Sequence, residues 1–241
     1  MQKESSVTLV NQHIVGEPET SIIIPVLNEE AGIRETIDRI PKAVKETSEI
    51  LVIDGLSDDE TVVEAEKAGA EVILVERLGK GYAMQIGAEL AKGENLVFLD
   101  GDGSYPSEDI PRFLKKVKTG VLVIGNAVPF IKSRKTLLEK MKLLYPSFWL
   151  TQNVFSRYGI NLQDPLNGMR AIKKKDFLRL KLASRGFAIE TEMDIKAFAF
   201  KLNIVEVPIQ IVPRKGESKF LFNFRSHLKI LHLLRSKKRV P

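Results

Sequence analysis

Short apolar runs alternate with stretches of helical period along the first hundred residues. Residues 21–26, 49–54, 70–75 and 96–99 are nearly continuous in Ile, Val and Leu and are bounded by Gly, Asn and Asp. Runs this short, with β-branched residues and turn-forming flanks, predict buried strands rather than core helices. Between them, Ile33, Ile37, Ile40 and Val44 recur at helical spacing, which predicts a helix over 28–45. Gly55-Leu-Ser-Asp-Asp-Glu60 caps a second helix through about residue 68. Gly79-Lys-Gly81 forms a loop before a third, at 82–91. One helix between successive strands argues for an α/β fold: a mostly parallel sheet with helices on both faces.

The second half is less regular. Residues 121–125 predict a strand, and 131–160 an aromatic-rich helical stretch (Tyr145, Phe148, Trp149, Phe155, Tyr158) whose default role is core packing. Gln163-Asp-Pro-Leu-Asn-Gly-Met-Arg170 reads as a polar turn, 171–173 as a strand and 174 onward as a helix. Residues 186–192 lead into a helix through about 202. The last strand, 204–212, carries Pro208 and ends at Pro213, as suits a sheet edge. The layout is an N-terminal arm at 1–20, one domain at 21–220 and a tail at 221–241.

Polar residues gather just after the strand ends: Asn28 and Glu29, Asp54, then Asp100 and Asp102. In open α/β sheets the ligand crevice lies at those ends. Asp100-Gly-Asp102-Gly lets two carboxylates converge beyond the strand because glycine relaxes the backbone. Such a pair suits Mg²⁺ or Mn²⁺, which keeps positions open for substrate phosphates. An Asp/Gly turn that binds nothing is the alternative reading of the motif alone. Lys80, between two glycines, is placed either to touch a diphosphate or as a solvated loop residue.

Composition narrows the classes. The chain has 241 residues, 44 % of them hydrophobic, enough for a sizeable core. No apolar run approaches the length of a membrane span, and the first residues lack the apolar stretch of a secretory signal. Absence of cysteine excludes disulfides, thiol catalysis and cysteine-ligated metals. His13, His227 and His232 show no zinc spacing. There is no Walker loop and no dinucleotide fingerprint. The expected location is cytoplasmic, peripheral at the membrane face. The net charge is +6, but nine of the 37 Lys/Arg and one of the 31 acids fall within 213–241. The rest is slightly acidic, which disfavours nucleic acid as a partner. In the tail Phe224, Leu228, Leu231 and Leu234 face opposite Arg225 and Lys229. That pattern fits either an amphipathic helix on an anionic membrane surface or a terminal packing helix.

In order and spacing, the motifs of residues 21–220 resemble family-two, GT-A type nucleotide-sugar transferases, most closely dolichol-phosphate and polyprenyl-phosphate sugar transferases. Ile24-Pro-Val-Leu-Asn-Glu-Glu30 is similar to the family's opening segment. Val52-Ile-Asp-Gly-Leu-Ser-Asp-Asp-Glu-Thr61 is similar to its second acidic segment, and Asp100-Gly-Asp102 to its Asp-x-Asp. Asp164-Pro-Leu-Asn-Gly-Met-Arg170 resembles the acceptor-side motif. Residues 187–192, Glu206-Val-Pro208 and Arg214-Lys-Gly-Glu-Ser-Lys219 complete the series.

The resemblance implies a Rossmann-like nucleotide-binding half and an acceptor half. It implies inverting, metal-dependent transfer from GDP-mannose or a UDP-sugar to polyprenyl or dolichyl phosphate. Pro25, Asn28, Glu29, Asp54, Lys80 and Asp100 would bind the nucleotide. Asp100 and Asp102 would hold the metal. Asp102, Asp164, Arg170 and Glu192 would be the catalytic set. Lys132, Arg134, Arg214 and Lys219 would take acceptor or phosphate. A phosphate acceptor is already ionised, so Asp164 is then a positioner; for a hydroxyl acceptor, Asp164 or Glu192 is the candidate base.

Three departures stand out. Ile53 replaces the first acid of an Asp pair, Ser104 replaces a common glutamine, and Gly125-Asn-Ala-Val128 lacks the family's arginine. A soluble acceptor such as a phosphoglycerate is the alternative within the transferases. A haloacid-dehalogenase-type phosphatase would place its aspartate on the chain's first strand, whereas three strands precede Asp100.

Overall fold

The computed structural model describes residues 17–133 and 159–215. Chain order is β1 (Thr20–Val26), α1 (Ile33–Asp38), α2 (Lys42–Lys45), β2 (Ser48–Asp54), α3 (Thr61–Lys67), β3 (Glu71–Leu74), α4 (Lys80–Leu90) and β4 (Asn95–Phe98). Then follow a 3₁₀ turn (Ser107–Asp109), α5 (Ile110–Leu114), β5 (Val121–Asn126), α6 (Val128–Ser133), β6 (Arg170–Lys173), α7 (Lys174–Arg179), α8 (Ile189–Ala199) and β7 (Asn203–Pro208).

The strands form one seven-stranded sheet in the order β3-β2-β1-β4-β6-β5-β7. β1 pairs in parallel with β2 and β4, β2 with β3, and β5 with β7. Only β6 runs against its neighbours β4 and β5. The mostly parallel sheet expected from the sequence is therefore present, with one reversed strand joining its halves. Ile22 and Ile24 pack with Ile33, Ile37, Val97 and Phe113 on one face; Ile23 packs with Ile53, Met84, Phe98 and Phe177 on the other. This is why the strand sequences read as unbroken apolar runs. Both faces are covered, so neither parity of the pleat is left for polar residues.

Several boundaries differ from the sequence expectation. The single helix predicted over 28–45 is two short ones, because Pro41 cannot donate the hydrogen bond that would continue α1. Residues 27–32 form turns rather than a first helical turn, with Asn28 at φ 52°. Lys80 is the first residue of α4 rather than part of a loop. The last strand stops at Pro208, on the sheet edge beside β5. The segment at 134–158 and the tail lie outside the described residues. Among the described residues no helix is long and apolar enough to cross a membrane.

Candidate active site

The carboxyl ends of β1, β2, β3 and β4 open onto one cavity of about 290 Å³. Pro25, Val26 and Leu27 come from the first strand and its exit, Gly55 from the second, and Val75, Glu76 and Arg77 from the third. Lys80 and Ala83 come from α4, and Asp100, Gly101 and Asp102 from the turn after β4. Glu29, Phe187 and Arg214 complete the wall.

Each of the two motif aspartates already carries a cation. Lys80 Nζ lies 2.5 Å from Asp100 Oδ1 and 2.6 Å from Glu190 Oε1. Burial opposes the charge on Lys80, but Asp100 and Glu190 hold its ammonium firmly protonated. Arg214 Nη1 lies 3.4 Å from Asp102 Oδ2, and Nη2 lies 3.4 Å from both oxygens of Glu29. The other oxygen of Asp102 accepts from Ser104 N–H at 2.9 Å and Ser104 Oγ at 2.5 Å. The strap bearing Arg214 is fixed by backbone bonds: Val212 N–H to Ser104 O (3.1 Å) and Lys215 N–H to Asp102 O (2.9 Å).

Two glycines permit this crowding. A Cβ on Gly32 would stand 2.5 Å from the backbone carbon of Asp102. One on Gly168 would stand 2.8 Å from Asp100 Oδ2. Gly168 N–H donates to Tyr105 Oη at 2.8 Å, and burial, then the Asp100 charge, pushes the buried Tyr105 hydroxyl well above its ordinary range.

The structure thus brings Pro25, Glu29, Lys80, Asp100, Asp102 and Arg214 to one cavity. Other expected site residues lie elsewhere. Asp54 is fully buried and accepts from Ser57 N–H (2.7 Å) and Ser57 Oγ (2.5 Å), so its carboxylate shapes the turn after β2. The Asn28 side chain ties the first loop to Asp58, accepting from its N–H at 3.1 Å. Arg170, expected to face substrate, is fully buried against Asp194 and donates to Asn167 O (2.9 Å) and Pro165 O (2.7 Å). It braces the 164–168 turn from beneath. Asp164 accepts from Ala127 N–H and Asn167 Nδ2, both at 2.9 Å; burial raises its pKa above the ordinary range. Lys132 lies on α6, while Arg134 and Lys219 fall outside the described residues.

Glu192 is also turned away. Its carboxylate accepts from Ala183 N–H (3.0 Å) and Ser184 N–H (2.7 Å), and Lys196 Nζ lies at 2.8 Å. The acid that reaches the cavity lysine is Glu190. Residues two apart on a helix project to opposite sides, so one acid of Glu190-Thr-Glu192 meets Lys80 and the other pins the 183–184 loop. That pairing of acids was the available signal, but the sequence does not say which faces which way. Burial opposes the charge on Glu192, yet Lys196 and the Ser184 and Ala183 N–H groups hold its carboxyl below the ordinary range. A depressed carboxylate stabilises the fold above its unfolded pKa of about 4.3, and that stability is lost as pH falls through the folded value. Glu192→Gln is therefore expected to flatten the acid limb of a stability-versus-pH curve, read from urea midpoints between neutral and acid pH. An unchanged limb would contradict the role of this carboxylate.

The cavity suits a hard divalent cation. Mg²⁺ and Mn²⁺ take one or two protein carboxylates and fill the remaining positions with water and phosphate oxygens. Asp100 and Asp102 offer such a pair, and among the described residues no cluster of three acids, histidines or cysteines would make a closed protein cage.

The model of glycosyl transferase family 2 matches residues 21–180. The chain belongs to that family. Among its family-two relatives, the undecaprenyl-phosphate mannosyltransferase of Micrococcus luteus is 34% identical, over 82% of this chain and 85% of that one. The low-salt glycan biosynthesis hexosyltransferase Agl6 of Haloferax volcanii is 30% identical over 83% of this chain, which spans 49% of Agl6. The dolichol-phosphate mannosyltransferase of Pyrococcus furiosus is 28% identical, over 86% of this chain and 62% of that one. Glucosyl-3-phosphoglycerate synthase of Mycobacterium tuberculosis, solved with Mn²⁺, UDP and glucosyl-3-phosphoglycerate, superposes with a TM-score of 0.71. It is 24% identical and the match covers 91% of this chain and 79% of that one, a likeness of fold. The GT-A architecture expected from the motifs is the architecture found.

Proposed function

We propose that this family-two glycosyltransferase moves a hexosyl group from a nucleoside-diphosphate sugar to a polyprenyl or dolichyl phosphate, with inversion. The observation that carries the reading is the cavity at the strand ends. There two aspartates and two cations face the space a diphosphate would fill. Asp100 and Asp102 would hold Mg²⁺ or Mn²⁺, whose Lewis acidity stabilises the charge growing on the departing diphosphate.

The chain's own groups do the rest. Lys80 and Arg214 are placed to donate to phosphate oxygens, and their charges add to the electrostatic stabilisation of the leaving group. The apolar wall of Val26, Leu27 and Val75 takes the nucleoside, and Gly55 lets it approach the turn after β2. With Asp54 committed to that turn and Ile53 fully buried, base recognition falls to the exposed Glu76 and Arg77. An acceptor phosphate oxygen attacks the anomeric carbon from the face opposite the diphosphate. The bond from that carbon to the diphosphate oxygen breaks, and the electron pair leaves on the nucleoside diphosphate. The phosphate is ionised at neutral pH, so no protein base is needed. Asp164, Glu206 and Asn126 instead shape the neighbouring turn that would receive the acceptor.

The lipid acceptor is supported by the Micrococcus and Pyrococcus relatives, whose names specify undecaprenyl and dolichol phosphates. On this reading residues 21–220 would bind donor and acceptor, and the basic residues of the tail at 221–241 would suit an anionic lipid surface. Calorimetry with GDP and UDP tests the donor half. One nucleotide should bind when Mn²⁺ or Mg²⁺ is present and bind far more weakly in chelator. No binding of either, with or without metal, would contradict the reading.

A further inference from the structure

The two cations that meet the motif aspartates each bridge two acids. Lys80 is shared between Asp100 of the Asp-x-Asp motif and Glu190 outside it, at 2.5 and 2.6 Å. Arg214 is shared between Asp102 of the motif and Glu29 outside it, each at 3.4 Å. Each motif acid thus has a protein cation, and each cation has a second acid as an anchor. We propose that Lys80 and Arg214 are built-in counter-ions that hold the two aspartates against free divalent cation and yield them only together with the donor's diphosphate. The inference rests on the donor-site reading above.

A divalent ion arriving alone meets two carboxylates that each already engage a protein cation. The four acids and two cations leave the cluster negative overall, but the ion must take each aspartate oxygen from a cation already bound to it and then settle beside an ammonium and a guanidinium. Glu190 and Glu29 keep those cations from swinging into water, because each remains tied to its anchor when its aspartate turns to the metal. A diphosphate changes the balance. Its oxygens bind the metal and also give Lys80 and Arg214 new partners. Arg214 is prepared for this, since its buried Nε–H has no acceptor among the described residues. The strap that carries it is held by backbone bonds to Ser104 and Asp102, so its reach is set before ligand arrives. Metal and diphosphate therefore favour each other's binding, and by linkage the effect is equal in both directions.

The test is Mn²⁺ binding by the full chain, followed by electron paramagnetic resonance of free Mn²⁺, alone and with GDP or UDP. Wild type should bind Mn²⁺ weakly, and the diphosphate should tighten it about tenfold, within the usual range for coupled sites. Arg214→Gln should bind Mn²⁺ alone about tenfold more tightly and lose most of the tightening. Lys80→Gln should change in the same direction. Arg214 stands on the strap and is a quarter exposed, so its variant carries the test even if the buried Lys80 change harms folding. Metal-only affinity that stays the same or falls in the Arg214 variant would overturn the inference, as would a wild-type Mn²⁺ affinity indifferent to diphosphate. Wild type that binds no Mn²⁺ in either condition would instead sink the donor site itself, and the inference with it.

Discussion

Replacing Asp102 with alanine is expected to lower sugar transfer by roughly a thousandfold while the protein stays folded. The loss follows from removing several kcal/mol of charge stabilisation from the departing diphosphate. Asp102 is the motif acid on the strap side of the cavity, paired with Arg214, and its carboxylate also accepts from the N–H and hydroxyl of Ser104. The structural cost is confined to that turn. Losing its hydrogen bonds costs about 1 kcal/mol each, small against the functional loss. Turnover and thermal melting measured on the same preparation check both halves. Full turnover in the variant would remove Asp102 from the mechanism, and a collapsed melt would show that it serves the fold.

Asp194→Ala is expected to have the largest effect on stability. Arg170 and Asp194 have no exposed side-chain surface, and the guanidinium is bound to Asp194 and to two backbone carbonyls of the 165–167 stretch. Removing the carboxylate strands a buried cation, which typically costs about 3–5 kcal/mol. A large drop in the urea midpoint is the expected reading. Replacing both partners with apolar residues, Arg170→Met with Asp194→Leu, should recover much of it, because no unpaired charge remains. A midpoint unchanged in Asp194→Ala would show that the pair does not carry the packing beneath the 164–168 turn.

How far the sequence could be read depended on how local the physics was. The strands were legible because both sheet faces are buried, so Ile22, Ile23 and Ile24 are all apolar whichever way they point. Asp100 and Asp102 were legible because a strand end and flanking glycines place them without help from distant residues. Arg170 was misplaced because its partner, Asp194, lies on a helix packed beneath it, and nothing near Arg170 announces a buried ion pair. Asp54 looked like a ligand, but its partner Ser57 stood three residues on and marked a turn that could have been foreseen. The Glu190 and Glu192 reversal needed the direction in which α8 docks, which tertiary packing alone decides. Pro41, by contrast, was an open signal that the helix over 28–45 must break.

The most direct test of the account is transfer from radiolabelled GDP- and UDP-sugars, with Mg²⁺ or Mn²⁺, to polyprenyl or dolichyl phosphate. The account predicts that label from one donor enters the organic phase, and that Asp102→Ala lowers this by roughly a thousandfold. Donor that binds with metal yet leaves no label in the organic phase, while labelling a soluble phosphate acceptor, would contradict the lipid-phosphate assignment.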